Sequence, residues 1–184
     1  MSNLSTYRYK TMVTAFAVTM FFSCKNNFKE VQSLGILDSG PLAVAENINS
    51  KYTDSGKLKS TLISPKMLNY SNRRFAFYEF PEGIDLKVYD DDNNESHVIA
   101  DYAIMYDETK LIDLQGNVIL ATHNKDTLFA EQLFYDQDTE WMFTNQPVQF
   151  KTKDQLINGN GFDSDRNFTK ARVLEVTGYV MLDE

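Results

Sequence analysis

The chain has 184 residues, 26 acidic against 18 basic side chains, and a formal charge of −8. That balance lacks the electrostatic footprint of a nucleic-acid binder and argues against broad adsorption to anionic lipid heads. The lone cysteine, Cys24, leaves no internal disulfide, so stability falls to an ordinary apolar core, and the length suits one domain.

The first ten residues carry Arg8 and Lys10 and no acid, and an apolar run from Thr11 to Phe22 follows. A basic head, a short apolar stretch and a small residue before a cleavage point are the parts of a secretory signal. The run is too short for the ~20 residues that span a bilayer as a helix. Ser23 then precedes Cys24, the arrangement in which lipoprotein processing puts a diacylglycerol on the thiol and leaves that cysteine first. An uncleaved signal anchor is the minor alternative, because Phe21 stands where a lipobox more often has Leu. Loss of the leader would leave 16 basic residues against 26 acids, a balance of −10. The expected organisation is a signal peptide over 1–23, a lipidated tether over 24–43 rich in turn residues such as Asp38, Ser39, Gly40 and Pro41, and a folded domain over 44–184.

From Val44 onward, short alternating runs are broken by Asp, Asn and Gly. Ile84, Leu86 and Val88 share one face, with Asp85 and Lys87 opposite. The run from Val98 to Tyr106 reads as one strand with Val98, Ala100, Tyr102, Ile104 and Tyr106 together. Polar clusters at 70–74, 90–94, 106–110, 123–126 and 136–139 space these runs as an antiparallel meander. No segment after Cys24 holds a helical period.

An internal repeat runs through the pattern. Ala100, Tyr106, Gly116 and Val118 recur as Ala130, Tyr135, Gln146 and Val148, with weaker copies around Ile84 and Val176. Each unit reads as a hairpin with a Gly or Pro return. Stacked hairpins bury a continuous apolar face that one hairpin cannot, and repeated Gly and Pro kinks fold a sheet over. The outcome is either an open trough with an apolar inner face or a sandwich with a solid core. Periodicity alone does not choose between them.

No catalytic constellation assembles. His97 and His123 are the only histidines, and no Gly-x-Ser-x-Gly turn presents a nucleophile. The run Asp90 to Asn94 lacks the glycine and bidentate glutamate of an EF-hand loop and reads as a hairpin tip. Carboxylate pairs such as Asp85 with Asp101, or Glu108 with Asp113, fall on outward faces and read as solubilising. The expectation is a non-enzymatic protein with no catalytic residue, metal site or cofactor. Aromatic residues, 13% of the chain, serve strand packing or line a groove.

The ordered motifs, Tyr78 to Ile84, Ala100 to Ala103, Gly116 to Val118, Asp126 to Leu128, Glu131 to Asp136, Thr144 to Val148 and Gly159 to Asp165, resemble the LptC family in its lipoprotein form. LptC is the periplasmic bridge component of lipopolysaccharide export. The resemblance covers roughly residues 44–182. It implies an all-β fold, an antiparallel twisted β-jelly roll forming an open trough of repeated hairpins. It implies lipopolysaccharide as cargo, received from an inner-membrane ABC transporter and passed by strand-edge pairing to the next jelly roll of the bridge. Acyl chains would contact Ile84, Leu86, Val88, Ala100, Ile104, Val118, Leu120 and Val148. The implied location is the periplasmic face of the inner membrane, held by Cys24; the outer membrane is the other place such an anchor serves. Familiar members hold the membrane by a helix, and this chain has a candidate lipid anchor instead. A lipoprotein scaffold without lipid cargo is the competing reading, and groove volume separates the two.

Overall fold

The computed structural model describes residues 40–182, and every regular element among them is a strand. In chain order these are β1 (Ala43–Asp54), β2 (Lys57–Asn69), β3 (Phe77–Phe80), β4 (Ile84–Tyr89), β5 (Glu95–Ala100) and β6 (Tyr102–Tyr106), then β7 (Leu111–Ala121), β8 (Thr127–Asp136), β9 (Trp141–Lys151), β10 (Gln155–Asp165), β11 (Arg172–Val173) and β12 (Val176–Met181). All five polar clusters expected as turns connect successive strands. Cys24 lies outside the described residues.

Every pairing is antiparallel, and the long strands serve two layers. β2 pairs with β4 through Ser60–Ile63 and with β3 through Leu68–Asn69. β7 pairs with β5 through Ile119–Ala121 and with β6 through Ile112–Gln115. The six strands β7, β5, β4, β2, β3 and β6 therefore close a ring, with β6 returning to β7. β8, β9 and β10 extend the sheet from the ring, and β1 covers the other side of β2. Among the described residues β1 pairs only with β2, and the short β11 and β12 pair only with β10, so β1 forms one sheet margin and β11 with β12 the other.

Local chemistry makes the bends. Gly116 and Asn117 both take positive φ, 72° and 45°, and the β7–β8 register slips between Gln115 and Val118. Such a bulge turns a strand out of its plane. Asp101 locks the bend: its N–H donates to the Gly116 carbonyl at 3.0 Å, and its Oδ2 accepts from Asn117 Nδ2 at 2.6 Å. Further slips occur between Ala130 and Phe134 and between Asn160 and Phe162. The repeat has a direct structural counterpart. Val118 faces Ala130, Ala130 faces Val148, Val148 faces Gly159, and Gly159 faces Val176, one row across the sheet.

The expected single strand over 98–106 is two strands. β5 stops at Ala100, Asp101 makes the bend, and β6 restarts in the other layer with opposite parity. Ala103 is 1% exposed and faces inward, whereas Tyr102, Ile104 and Tyr106 face out. Asp113 also departs from expectation. It is 7% exposed and accepts from Gln115 Nε2 at 2.7 Å and Gln132 Nε2 at 2.8 Å, which satisfies a covered carboxylate.

Candidate functional site

Between the two layers lies a cavity of about 460 Å³. Leu62 of β2, Ile84, Leu86 and Val88 of β4, Val98 of β5 and Leu120 of β7 form one wall. Phe80 of β3, Ala103 and Met105 of β6, Ile112 and Leu114 of β7, and Tyr135 of β8 form the other. The alternation of β4 explains its contribution: every second residue is apolar, and that face turns inward. Among the described residues no side-chain nitrogen or oxygen is fully buried without a partner, and these two walls of the cavity offer mainly hydrocarbon contact. Its volume falls in the ~300–1,000 Å³ range of small-molecule pockets.

Polar residues gather where the strand ends approach one another. Lys59, Asp90 and Ser96 come from one layer, and Gln137, Arg166 and Asn167 from the other. Lys59 Nζ sits 2.5 Å from Asp91 Oδ1, and Arg166 Nη1 sits 2.5 Å from Glu140 Oε1. The Lys59–Asp91 hydrogen bond raises the lysine pKa and lowers that of the carboxylate, so both stay charged. Burial pushes the Tyr135 phenol up, with Glu140 adding to it, so the wall hydroxyl stays neutral. Asp90 accepts from the N–H groups of Asp92 and Asn94 at 2.9 and 2.8 Å, which makes the β4–β5 connection a tight hairpin tip.

The cavity ends at Leu133 and Met142, which are 0% and 2% exposed. Beyond them three rings fill the space between β9, β10 and the following loop. Phe150, Phe162 and Phe168 have centroids 5.3–5.5 Å apart, two of the three contacts edge-to-face. The interior is thus a hollow at the β2–β7 end and a solid aromatic core at the β9–β10 end, a trough and a sandwich in one sheet.

Of the eight expected groove residues, Ile84, Leu86, Val88 and Leu120 line this cavity. Ala100, Val118 and Val148 pack into the core at the bend and stay out of it, at 2%, 1% and 6% exposure. Ile104 is on the outer face, beside Arg73, Phe75, Phe77 and Tyr106. Its misplacement follows from the parity change at Asp101. Leu62, Val98, Met105, Ile112, Leu114 and Tyr135 also line the cavity and were not among those eight; the alternation of Ile112 and Leu114 about Asp113 is the sequence signal for two of them.

A family model described as lipopolysaccharide-assembly, LptC-related, matches residues 12–181. The chain belongs to the LptC-related family. Nearly the whole chain is covered, including every strand described above. LptC-related proteins take part in lipopolysaccharide transport on the periplasmic side of the inner membrane, as bridge components of an export complex rather than enzymes. The search of curated proteins gave no match.

Proposed function

We propose that this LptC-related chain is a membrane-anchored transfer protein that accepts lipopolysaccharide from the inner-membrane ABC transporter and passes it to the periplasmic bridge. The observation that carries the reading is the 460 Å³ apolar cavity with a charged rim. Acyl chains would rest against Leu62, Ile84, Leu86, Val88, Met105 and Leu120, and the sugar and phosphate head would stay at the rim. A scaffold without cargo would need no such hollow. The protein makes and breaks no bond here, so direction comes from the partner transporter.

The two sheet margins suit the handover. Among the described residues β1 and β12 each pair along one edge, and β12 exposes Val176, Tyr179, Val180 and Met181. Strands at a margin accept a further strand from a neighbour. Cys24 would carry the lipid that holds the domain at the membrane, the tether running from it to the first strand.

A photo-activatable residue at Leu86 should capture lipopolysaccharide in cells, and one at Ile99, on the outer face of β5, should not. Equal capture at both positions, or none at Leu86, would overturn the cargo reading. Palmitate incorporation into the parent chain but not into Cys24→Ala tests the anchor.

A further inference from the structure

The hollow between the layers has a shape as well as a volume. One wall follows the inner face of β4, from Ile84 at the bend through Leu86 and Val88 to Asp90 at the rim. Six residue steps at ~3.3 Å each make that path roughly 20 Å. The bend closes its inner end, where Phe80, Ile84 and Ala103 are 5%, 7% and 1% exposed. Leu133 and Met142, backed by the three phenylalanine rings, close it toward β9 and β10. The polar side chains, Lys59, Ser96, Gln137, Arg166 and Asn167 among them, stand at the opening.

Volume and depth together give a width. A zigzag of ~1.52 Å carbon–carbon bonds advances ~1.25 Å per carbon, so a depth of roughly 20 Å takes about 16 carbons. A methylene group fills about the liquid share of a water molecule, ~30 Å³, so the 460 Å³ of the hollow holds about 15 carbons. The two counts agree for one hydrocarbon chain; two chains side by side at that depth would need twice the space. The side chains met along the way, such as Leu62, Val98, Met105 and Leu114, offer contact along their length and no directional bond. Such walls measure how much hydrocarbon enters and not which lipid it belongs to.

We infer that the hollow is a single-chain site: it takes one acyl chain of a lipid, about 15 carbons deep, with the methyl end at the bend and the head and any further chains outside the rim. Its ligand class is every lipid that offers one free chain, single-chain lysolipids included. This deepens the cargo reading above and rests on it for the identity of the lipid in cells. A lipopolysaccharide carries several acyl chains, and the hollow shelters one of them at a time. Each methylene taken in strengthens binding about fourfold, and the gain ends where the hollow ends.

The test uses the full chain with Cys24→Ala, so that no lipid of its own competes. Lysophosphatidylcholines of graded chain length, each below its micelle-forming concentration, compete with a fluorescent acyl probe. Affinity should climb about fourfold per methylene from about 8 carbons and level off at about 15, with chains of about 18 and about 20 gaining nothing further. Native mass spectrometry should count one lysolipid per protein. A diacyl phosphatidylcholine should bind no tighter than the lysolipid of the same chain length. Ala103→Leu adds three carbons at the closed end and should move the break to chains shorter by about three carbons. Two lysolipids per protein, a series that keeps climbing to about 20 carbons, or no lysolipid binding overturns the inference. So does an unmoved break in folded Ala103→Leu, and the parent series decides alone where that variant does not fold. Cargo identity is read separately. Lipopolysaccharide capture at Leu86 beside a failed lysolipid series overturns the single-chain site and leaves the cargo reading standing. A break at about 15 carbons without capture at Leu86 overturns the cargo reading and leaves the site.

Discussion

Ser64 Oγ donates a 2.7 Å hydrogen bond to the carbonyl oxygen of Gly83. Ser64 is 1% exposed and lies on β2 between the stretch that pairs with β4 and the stretch that pairs with β3. Gly83 closes the turn from β3 into β4, with φ at 86°. One hydrogen bond therefore ties together the two places where the chain passes between layers. A Cβ on Gly83 would lie 2.7 Å from the Ala100 carbonyl and 3.2 Å from that of Asp101. Ser64→Ala should cost about 1–3 kcal/mol by removing this buried donor. Gly83→Ala should cost more than the ~1–2 kcal/mol of left-handed strain alone, because the contact adds to it. Chemical denaturation checks both, and a Gly83→Ala variant as stable as the parent would contradict the packing described for this turn.

Filling the hollow should separate stability from cargo. Leu86 and Met105 face each other's layers across the cavity and are both half-buried. Leu86→Phe with Met105→Phe adds volume where space exists, so the change in unfolding free energy should stay under about 1.5 kcal/mol. Binding of a fluorescent acyl probe should fall, together with lipopolysaccharide capture by a photo-activatable residue at Leu62. Undiminished capture in a folded double variant would place the acyl chains elsewhere.

The aromatic end of the interior should respond in the opposite way. Phe168 is 8% exposed, adopts φ of 59°, and completes the cluster with Phe150 and Phe162. Phe168→Ala removes one ring from a packed group and should cost about 3 kcal/mol or more. The space released adjoins the last cavity-lining residues on β8 and β9. Acyl-probe capacity should therefore rise in conditions where the variant remains folded, as read by titration of the probe against protein. Unchanged capacity would mean that the rings do not bound the hollow.

The alternation of Ile84, Leu86 and Val88 was sufficient to place a cavity wall, because one face of β4 is polar and the other apolar. The strand over Tyr102–Tyr106 offered no such contrast. Tyr102, Ile104 and Tyr106 form one apolar set, and Ala103 and Met105 form another, so either phase reads as buried. The geometry at Asp101 decides it, through a hydrogen bond to Gly116 that lies a full hairpin away in sequence. β8 posed the same difficulty. Its register slips between Ala130 and Phe134, so Leu128 and Leu133, five positions apart, are both fully buried. The repeat from Ala100 to Val118 and from Ala130 to Val148 did mark a real row. That row is the bend, where small side chains let layers meet, and not the groove. Distinguishing core from cavity needs the distance between layers, and a period along one strand does not contain it.

Acid should loosen the loop that carries Phe168. Asp165 Oδ1 accepts from Thr169 N–H at 2.7 Å and Lys170 N–H at 3.2 Å, and its other oxygen accepts from the Thr169 hydroxyl. Burial alone would raise this carboxyl, yet the hydrogen bonds from Thr169, Lys170 and Ser164 together outweigh it and hold the pKa below the ordinary value. A carboxyl whose folded-state pKa is depressed stabilises the fold above its unfolded pKa of about 3.9, and that contribution is lost as pH falls through the folded-state value. The loop 166–170 should thus stay closed at neutral pH and open progressively below about pH 4. The Phe168 ring, shifted in NMR spectra by its two aromatic neighbours, should move toward its random-coil position over that window. Asp165→Asn should remove the pH-dependent step, because the amide keeps the shape but not the charge that the N–H groups favour. A parent-like acid transition in that variant would assign the loosening to another group.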